Sequence, residues 1–287
     1  MMASRKRVDG IGLLLLTPAA LLLLLLFLAP VAYAFYLGLT NVTLAGIHAE
    51  RYWFTGAANL RRLWHDTSFW QSLWLTAVFL FGASVVGVTL VGLGLAVLMQ
   101  HAQVFWQRLA GAVAILAWML PPVTAALIWY AFSTTGGTLS LLAGGRADPL
   151  DDHPMLIIIL ANIWATAGFS MMVLGGALRG ISREVLEAAR MENASRVQTF
   201  VFITLPLMRR ALVTNLLLVT LIILANYALT YIMTAGGPND ATNILPIYAY
   251  QQGFTFNNLG YGALIGDVLV LIATAFAYLY VRAVRQG

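Results

Sequence analysis

Six long apolar stretches alternate with shorter polar segments along the chain. A membrane-spanning helix needs about 20 consecutive, mostly apolar residues. Six segments are long enough, at residues 11–39, 70–99, 109–132, 155–178, 211–233 and 261–281. The pattern predicts an all-α polytopic membrane protein with six transmembrane helices, folded as a single domain over residues 1–287. Several segments exceed 20 residues, so we expect those helices to tilt or to extend beyond the bilayer.

Prolines interrupt two of the predicted spans. Pro18 and Pro30 should bend the first span, and Pro121–Pro122 should break or kink the third. The reason is that proline cannot donate the backbone hydrogen bond that a helix interior needs. Neighbouring helices can satisfy the backbone groups that such a break leaves free inside a membrane.

The N-terminal segment allows two interpretations. A basic run, Arg5-Lys6-Arg7, precedes the leucine-rich stretch, and Ala-Tyr-Ala at 32–34 resembles a signal-peptidase site. A cleaved signal peptide would leave five spans. The apolar stretch is longer than the hydrophobic part of a usual signal peptide, so we expect the first span to be retained.

The distribution of basic residues predicts the orientation of the chain, because cytoplasmic segments carry an excess of Lys and Arg. If the N-terminus lies inside, four basic residues fall outside: Arg51, Arg61, Arg62 and Arg146. The other twelve fall in cytoplasmic segments: Arg5, Lys6, Arg7, Arg108, Arg179, Arg183, Arg190, Arg196, Arg209, Arg210, Arg282 and Arg285. Both termini are therefore predicted to be cytoplasmic.

Composition excludes the soluble classes of protein. Hydrophobic residues make up 61% of the chain and charged residues only 9%, and the mean hydropathy is +0.84. A typical soluble domain has about 25% charged residues. These values rule out a soluble globular protein, a disordered chain and a fibrous one.

The sequence lacks the residue patterns of common catalytic and metal sites. The one lysine, Lys6, has no phosphate-binding-loop context, so a Walker-A type of ATP binding is excluded. There is no cysteine and no G-x-S-x-G motif, and the four histidines do not have metal-ligand spacing. We therefore predict no catalytic residue, no metal site and no enzymatic activity. Any ATP-driven step would need a separate ATPase chain.

The polar segment at residues 179–206 predicts two short helices joined by a sharp turn. Ser182 can cap the first helix, with Glu184 favourable in its first turn. Asn193 can end that helix, because asparagine tolerates the left-handed backbone conformation. Ser195 can then cap the second helix.

The same segment carries a motif of recognisable spacing. Glu187-Ala188-Ala189 is followed by Glu192-Asn193 and then by I-T-L-P at 203–206, where Pro206 is expected to begin the next span. This arrangement resembles the E-A-A loop of ABC-importer permeases, the membrane subunits of binding-protein-dependent importers. The small alanines would let another surface approach the helix backbone closely.

Further stretches resemble the carbohydrate branch of that family, the maltose-type sugar permeases. They are W-A-T-A-G-F-S-M at 164–171, L-R-G-I at 178–181, M-T-A-G-G-P at 233–238 and G-L-G-L-A at 92–96. The resemblance covers residues 10–283. The family usually has Asp-Gly where this chain has Glu192-Asn193, and asparagine can still make the turn. The chain resembles the compact six-span form, without the extra spans and large outer domain of the extended permeases.

The resemblance implies a type I ABC-importer permease core in which residues 179–206 form the coupling helix loop. In the family this loop docks on a cytoplasmic ATPase and carries its ATP-driven closure into the spans. The residues implied in coupling are Glu187, Ala188, Ala189, Arg190, Glu192, Asn193, Leu205 and Pro206.

The resemblance also implies a set of partners. They are a second homologous permease subunit, two ATPase subunits that hold ATP and Mg, an extracytoplasmic solute-binding protein, a small-molecule sugar and membrane lipid. No cofactor is expected in this chain, and nothing in the sequence indicates nucleic acid. The implied location is the cytoplasmic (inner) membrane of a bacterium or archaeon.

Polar side chains inside the spans are candidates for the substrate pathway, because they are costly in a membrane. The candidates are Asn162, Asn226, Tyr227, Tyr231 and Asp267. They supply amides or a carboxylate for sugar hydroxyls and aromatic faces for the ring. No arginine lies inside a predicted span, which favours a neutral sugar. Interhelical hydrogen bonding is the alternative role for these side chains.

A second class of function uses Asp267 differently. An ion- or proton-coupled secondary carrier could bind its coupling ion at this carboxyl group and would need no ATPase partner. Many secondary carriers contain inverted repeats. The sequence shows no clear internal repeat, which weighs against this alternative.

Overall fold

The computed structural model describes residues 10–286, with side chains for residues 15–283. Within that part, every regular element is a helix, apart from one isolated antiparallel bridge between Thr40 and Phe54. The all-α prediction is confirmed for these residues. Among the basic residues that predicted the orientation, the Arg5-Lys6-Arg7 run and the side chain of Arg285 lie outside the described part.

Ten helices, labelled α1 to α10 in chain order, build the fold. Their bounds are 10–38, Thr67–His101, Val104–Met119, Pro122–Ser133, Pro154–Arg179, Arg183–Met191, Arg196–Leu207, Arg209–Ala225, Ala228–Thr234 and Leu259–Gln286. Further short helices occupy the connecting segments at Ile47–Glu50, Ala58–His65, Thr138–Leu142, Pro149–Asp152 and Leu245–Tyr250.

Four of the predicted spans correspond to single helices that are long and apolar enough to cross a membrane. These are Leu15–Gly38, Thr67–His101, Pro154–Arg179 and Leu259–Ala283. The predicted span 109–132 falls on a pair of helices with a sharp bend between them. The predicted span 211–233 begins within α8, just after a second sharp bend, and continues across a break into α9. The described residues therefore contain four to six candidate spans, and the number six stays a prediction.

The third predicted span is broken at its two prolines, as expected. α3 ends at Met119, α4 begins at Pro122, and the helical segments on the two sides of the break differ in direction by 105°. Leu120 and Pro121 both take extended ψ angles, 136° and 140°. Each precedes a proline, whose ring excludes the helical conformation of the residue before it.

The fifth predicted span, 211–233, is not one continuous helix. α8 ends at Ala225, Asn226 leaves the helical conformation with φ −98° and ψ 65°, and α9 follows. The expectation that Pro206 opens this span is also wrong, because Pro206 lies in α7 and a 68° bend separates α7 from α8. The apolar pattern did not predict the break at Asn226, since α9 takes its direction from packing against α4.

Two π-helical segments each end two residues before a proline. Leu24–Leu28 precedes Pro30 in α1, and Phe200–Thr204 precedes Pro206 in α7. Proline cannot donate to the carbonyl four residues earlier, and its ring collides with that carbonyl. The wider π turn relieves the collision. The bend predicted at Pro30 stays a prediction, and the structure shows a local widening of a helix that continues from residue 10 to residue 38.

A third π segment, Phe81–Val88, lies in the middle of α2. The backbone N–H and the hydroxyl of Thr89 both donate to the carbonyl oxygen of Ser84, and the hydroxyl distance is 2.8 Å. The hydroxyl of Ser84 in turn lies 2.7 Å from that of Thr220 on α8, and both side chains are buried. Hydroxyl pairs of this kind hold helices together where water is absent.

Glycines bring α5 very close to α2 and α3. A methyl group on Gly92 of α2 would lie 2.3 Å from the Oγ of Ser170, and one on Gly168 of α5 would lie 2.0 Å from the carbonyl oxygen of Ala114 on α3. Such contacts are typical of membrane helices, whose backbones approach each other at small residues.

The chain divides into two compact units, each built from two separate segments. The first unit comprises residues 1–66 and 249–268, and the second comprises residues 67–248 and 269–287. The boundary after residue 268 falls inside α10. The expectation of a single domain over the whole chain stays a prediction.

Each unit has its own internal contacts. In the first unit the Asn59 amide donates to the carbonyl oxygens of Gly38 and Thr40, at 2.9 and 2.8 Å, and so fixes the end of α1. In the second unit the core is apolar, and its fully buried side chains include Phe79, Ile158, Val219, Ile223 and Leu229.

Candidate functional site

The segment at residues 179–206 forms the helix–turn–helix that the sequence predicts. The Oγ of Ser182 accepts a hydrogen bond from the backbone N–H of Glu184 at 3.2 Å, and so caps α6. In α7, Ser195 and Gln198 form a reciprocal capping box, in which each side chain bonds the backbone N–H of the other residue. Both predicted N-caps are confirmed.

The turn between the two helices depends on Asn193. This residue has φ 55°, in the left-handed region. Its N–H donates to the carbonyl of Arg190 at 3.0 Å, and the N–H of Ala194 donates to the carbonyl of Ala189 at 3.1 Å. This pair of bonds is the Schellman motif, which satisfies carbonyl groups at a helix end. The predicted left-handed turn at Asn193 is confirmed.

The structure places the predicted coupling residues on both faces of the loop. Those that face solvent are Glu187, Ala188, Arg190, Glu192, Asn193 and Pro206. Leu205 is half-buried, and Ala189 is buried, with 5% exposure. Two adjacent residues of a helix point about 100° apart, so Ala188 is available to a partner while Ala189 packs inward.

Three apolar side chains of the loop are more than 70% exposed, and the sequence analysis did not select them. They are Met191, Val197 and Phe202, with exposures of 84%, 71% and 74%. Contiguous exposed apolar side chains are typical of surfaces that contact a partner protein or a membrane. In a sequence, side chains of this kind can be recognised as apolar residues that lie off the periodic apolar face of their helix.

The substrate-pathway candidates fall in different surroundings. Asn162 is buried on α5, and its amide nitrogen donates to the carbonyl of Ile158 at 2.8 Å, within the same helix. Tyr227 and Tyr231 lie at the break after α8, with ring centroids 6.3 Å apart and ring planes at 65°. Asn226 directly precedes Tyr227 at this break, and both tyrosine rings are partly buried against the core.

Asp267 lies in the first unit, on α10. Its side chain is 4% exposed, and a methyl group on Gly38 would lie 2.7 Å from its Oδ2. Among the described residues, Oδ2 has no hydrogen-bond partner. The absence of a Cβ at Gly38 thus makes the room for this carboxyl group, which packs against the end of α1.

Three polar side chains of the second unit share this property. The amide of Asn215 on α8 and the hydroxyls of Ser170 on α5 and Thr230 on α9 are fully buried and have no hydrogen-bond partner among the described residues. Buried polar groups without a partner are costly, so positions of this kind are functional candidates.

A cavity of about 310 Å³ lies beside the Gly237-Pro238 segment and is lined by Asp148 and Asp151. Partial burial of the Asp148 carboxyl would raise its pKa. Hydrogen bonds from the hydroxyl of Thr135, at 2.8 Å, and from the backbone N–H groups of Asp151 and Thr135 outweigh that effect and lower the pKa below its ordinary value. The cavity therefore has an ionised carboxylate in a fixed position at neutral pH.

No metal cluster is present among residues with described side chains, where no group of three or more His, Asp or Glu residues comes together. The arrangement instead offers a protruding, sharply turned loop, aromatic and amide groups at a helix break, and a buried carboxyl group. None of these is a constellation for bond chemistry.

Comparison with known proteins identifies the family. The sequence profile described as "Binding-protein-dependent transport system inner membrane component" matches residues 88–287, which is more than half of the chain. The chain is a member of this family. The resemblance drawn from the E-A-A motif and its flanks is thereby confirmed.

Two named relatives cover nearly all of the permease. It is 31% identical over 286 residues to the sulfoquinovosyl glycerol transport system permease protein SmoG of Agrobacterium fabrum, over 96% of this chain and 90% of that protein. It is 27% identical over 294 residues to the trehalose/maltose transport system permease protein MalF of Thermococcus litoralis, over 98% and 96%. These relatives are permease proteins of transport systems.

A solved structure shares the fold of the permease. A chain of a bacterial ABC transporter involved in the import of the acidic polysaccharide alginate has a TM-score of 0.77, with 97% of this chain and 96% of that chain covered. The sequence identity is 18%, so this likeness shows the fold alone. Together with the apolar helices, it shows a multi-pass membrane protein with an importer-permease fold. The family does not favour the ion-coupled carrier.

Proposed function

We propose that the permease is the membrane-spanning subunit of an ATP-driven importer for a sugar. It forms the translocation pathway together with a second homologous permease subunit, and an extracytoplasmic solute-binding protein delivers the sugar. Two ATPase subunits, which hold ATP and Mg²⁺, drive the cycle. The helix–turn–helix at residues 179–206 couples them to the spans.

The observation that carries this proposal is the geometry of that loop. Glu187 and Ala188 are exposed on α6, and the left-handed turn at Asn193 fixes the direction of α7 relative to α6. Ala188 offers little side-chain bulk, so a groove on a partner can approach the helix backbone. Exposed Met191 and Val197 add apolar surface that a partner would cover.

The proposed topology has six spans, a retained first helix and both termini in the cytoplasm. In this topology α3 with α4 forms one span, and α8 with α9 forms another. The loop at residues 179–206 contains arginines at a high density, which supports its cytoplasmic position. The proposed location is the cytoplasmic membrane of a bacterium or archaeon, where lipid surrounds the apolar helices.

The proposed substrate class follows from the relatives and from the helix break. SmoG and MalF are named for sulfoquinovosyl glycerol and for trehalose and maltose transport. The break at Asn226 leaves carbonyl groups at the end of α8 without partners in the helix. Those carbonyls, the Asn226 amide and the rings of Tyr227 and Tyr231 are suited to sugar hydroxyls and to a sugar ring face. We assign Asn162 and Asp267 to the same pathway.

Co-purification with an ATPase tests the coupling proposal. We expect a co-expressed cytoplasmic ATPase from the neighbouring genes to purify with the permease in stoichiometric amount, and Glu187→Ala to weaken this association about tenfold or more. Glu184→Ala is the matched control, because Glu184 is also exposed on α6 but lies one turn earlier. A permease that purifies alone and moves solute without ATP would overturn the proposal.

Substitution of Asp267 tests the pathway assignment. We expect Asp267→Ala to reduce uptake of the binding protein's ligand about tenfold or more, since hydrogen bonds to charged groups contribute about 1.5–3 kcal/mol. Assembly with the ATPase should not change. Asp267→Asn keeps the size and one acceptor, so it should retain more activity than Asp267→Ala. Unchanged uptake in Asp267→Ala would remove this residue from the pathway, and a joint loss of assembly would make its role structural.

A further inference from the structure

The space between the coupling loop and the end of α2 is a cavity of about 590 Å³. Residues from four segments form its wall: the end of α2, the end of α5, α6 with the turn, and α7. Its polar wall consists of six side chains: Gln100, His101, Arg190, Arg196, Thr199 and Thr204. None of these six side chains is among the candidates for the substrate pathway.

The cavity is positively charged, and no acidic residue lines it. The three acids of the loop, Glu184, Glu187 and Glu192, are exposed elsewhere on α6 and the turn. Among the described residues, the guanidinium groups of Arg190 and Arg196 have no ion pair and no hydrogen bond. Both residues are also exposed to solvent, so water screens their mutual repulsion. An anion in the cavity would gain charge-assisted hydrogen bonds from both of them.

The donors in the wall match a phosphate group better than a single carboxylate. Each guanidinium offers up to five N–H donors in a planar fork that pairs with two oxygen atoms at once. The hydroxyls of Thr199 and Thr204 and the amide of Gln100 add further donors. The ring of His101 is held by a contact of 3.1 Å between its Nδ1 and the carbonyl of Val97. A phosphate with three terminal oxygens can use more of these donors than a carboxylate with two.

A second, more apolar cavity of about 580 Å³ shares the residue Gln100. Met99, Ile115 and Met171 are among its lining residues, and Arg179 provides one more cation. A phosphate bound near Arg190 could therefore carry either no tail, as a free phosphate, or an acyl tail that occupies this second cavity.

We propose that the cavity between Arg190 and Arg196 binds a phosphate-bearing anion. The bound group bridges α6, α7 and the end of α2, so it holds the coupling loop in one position relative to that helix. This last consequence rests on the proposed coupling function, whereas the binding itself does not.

Binding to the purified full-length permease in detergent, with no ATPase present, tests the proposal. The probes are inorganic phosphate and dioctanoyl phosphatidic acid, with dioctanoyl phosphatidylcholine as the zwitterionic comparison, and calorimetry measures the binding. We expect one equivalent of at least one anionic probe to bind. The double variant Arg190→Gln/Arg196→Gln should bind about tenfold or more weakly, because it loses two charge-assisted contacts.

Arg183→Gln is the matched control, since Arg183 lies on α6, is exposed and does not line the cavity. It should change the affinity by less than about twofold, as expected for a distant surface charge. Binding of phosphatidic acid alone identifies a lipid, and binding of both anionic probes identifies the phosphate group itself. Either result supports the site.

Two results would overturn it: no saturable binding of either anionic probe at millimolar concentration, or equal weakening in the double variant and in Arg183→Gln. If the double variant aggregates on size exclusion, the single variant Arg196→Gln replaces it. Arg196 is exposed and lies outside the E-A-A motif. Because the assay contains no ATPase, a failure here does not affect the test of the coupling proposal.

Discussion

Replacement of Asn193 by proline is expected to reduce ATP-driven transport about 100-fold. Proline fixes φ near −65°, whereas the turn needs φ 55° at this position. Proline also has no N–H, so the bond to the carbonyl of Arg190 is lost. A misplaced proline costs about 3 kcal/mol or more, which corresponds to a roughly 100-fold lower population of the correctly turned loop. Uptake of the binding protein's ligand into proteoliposomes measures the effect.

Asn193→Gly is the matched control for this experiment. Glycine adopts positive φ without strain and keeps its N–H, so transport in this variant should equal that of the unaltered permease. Wild-type transport by Asn193→Pro would show that the turn does not transmit the ATPase motion. Equal losses in both variants would assign importance to the asparagine side chain rather than to the backbone conformation.

The second large effect is expected at the contact between α5 and α3. Gly168→Ala places a methyl group 2.0 Å from the carbonyl oxygen of Ala114, where only a backbone shift can make room. Overpacking of this kind costs about 1–3 kcal/mol, and each kcal/mol lowers the unfolding temperature of a chain of this size by about 2–4 °C. The retention time on size exclusion after a series of heating steps measures the change.

Gly176→Ala is the control on the same helix, because a methyl group there meets nothing within 4 Å. It should leave the unfolding temperature unchanged or raise it slightly, since alanine favours the helix over glycine. If Gly168→Ala were as stable as Gly176→Ala, the close approach of α5 and α3 would be wrong.

Local rules predicted the helix–turn–helix at residues 179–206 well. Ser182, Ser195 and Asn193 each act through hydrogen bonds within a few residues, so the sequence around them contains all the partners they need. The break at Pro121 was predictable for the same reason, because the ring of Pro122 acts on its immediate neighbour.

Features that depend on distant contacts were not predictable. The break at Asn226 interrupts an apolar run, and the helix after it takes its direction from α4, about a hundred residues earlier in the chain. The difference between exposed Ala188 and buried Ala189 depends on what packs beneath α6. The role of Gly38 became visible only when the structure placed Asp267 against it. The sequence identified Asp267 as an ionisable residue inside a predicted span. It did not show which residue packs against the carboxyl group.

The π segment at Phe81–Val88 has a consequence for how this protein can change in evolution. A π turn contains about one residue more than an α turn, so side chains after Val88 are rotated by roughly 100° relative to a plain α-helix. Deletion of one residue in the segment would restore the α period and turn Gly92 away from Ser170. The side chains in the second half of α2 therefore point in other directions than they would in a continuous α-helix. A single insertion or deletion there would rotate the whole second half of the helix, as far as His101.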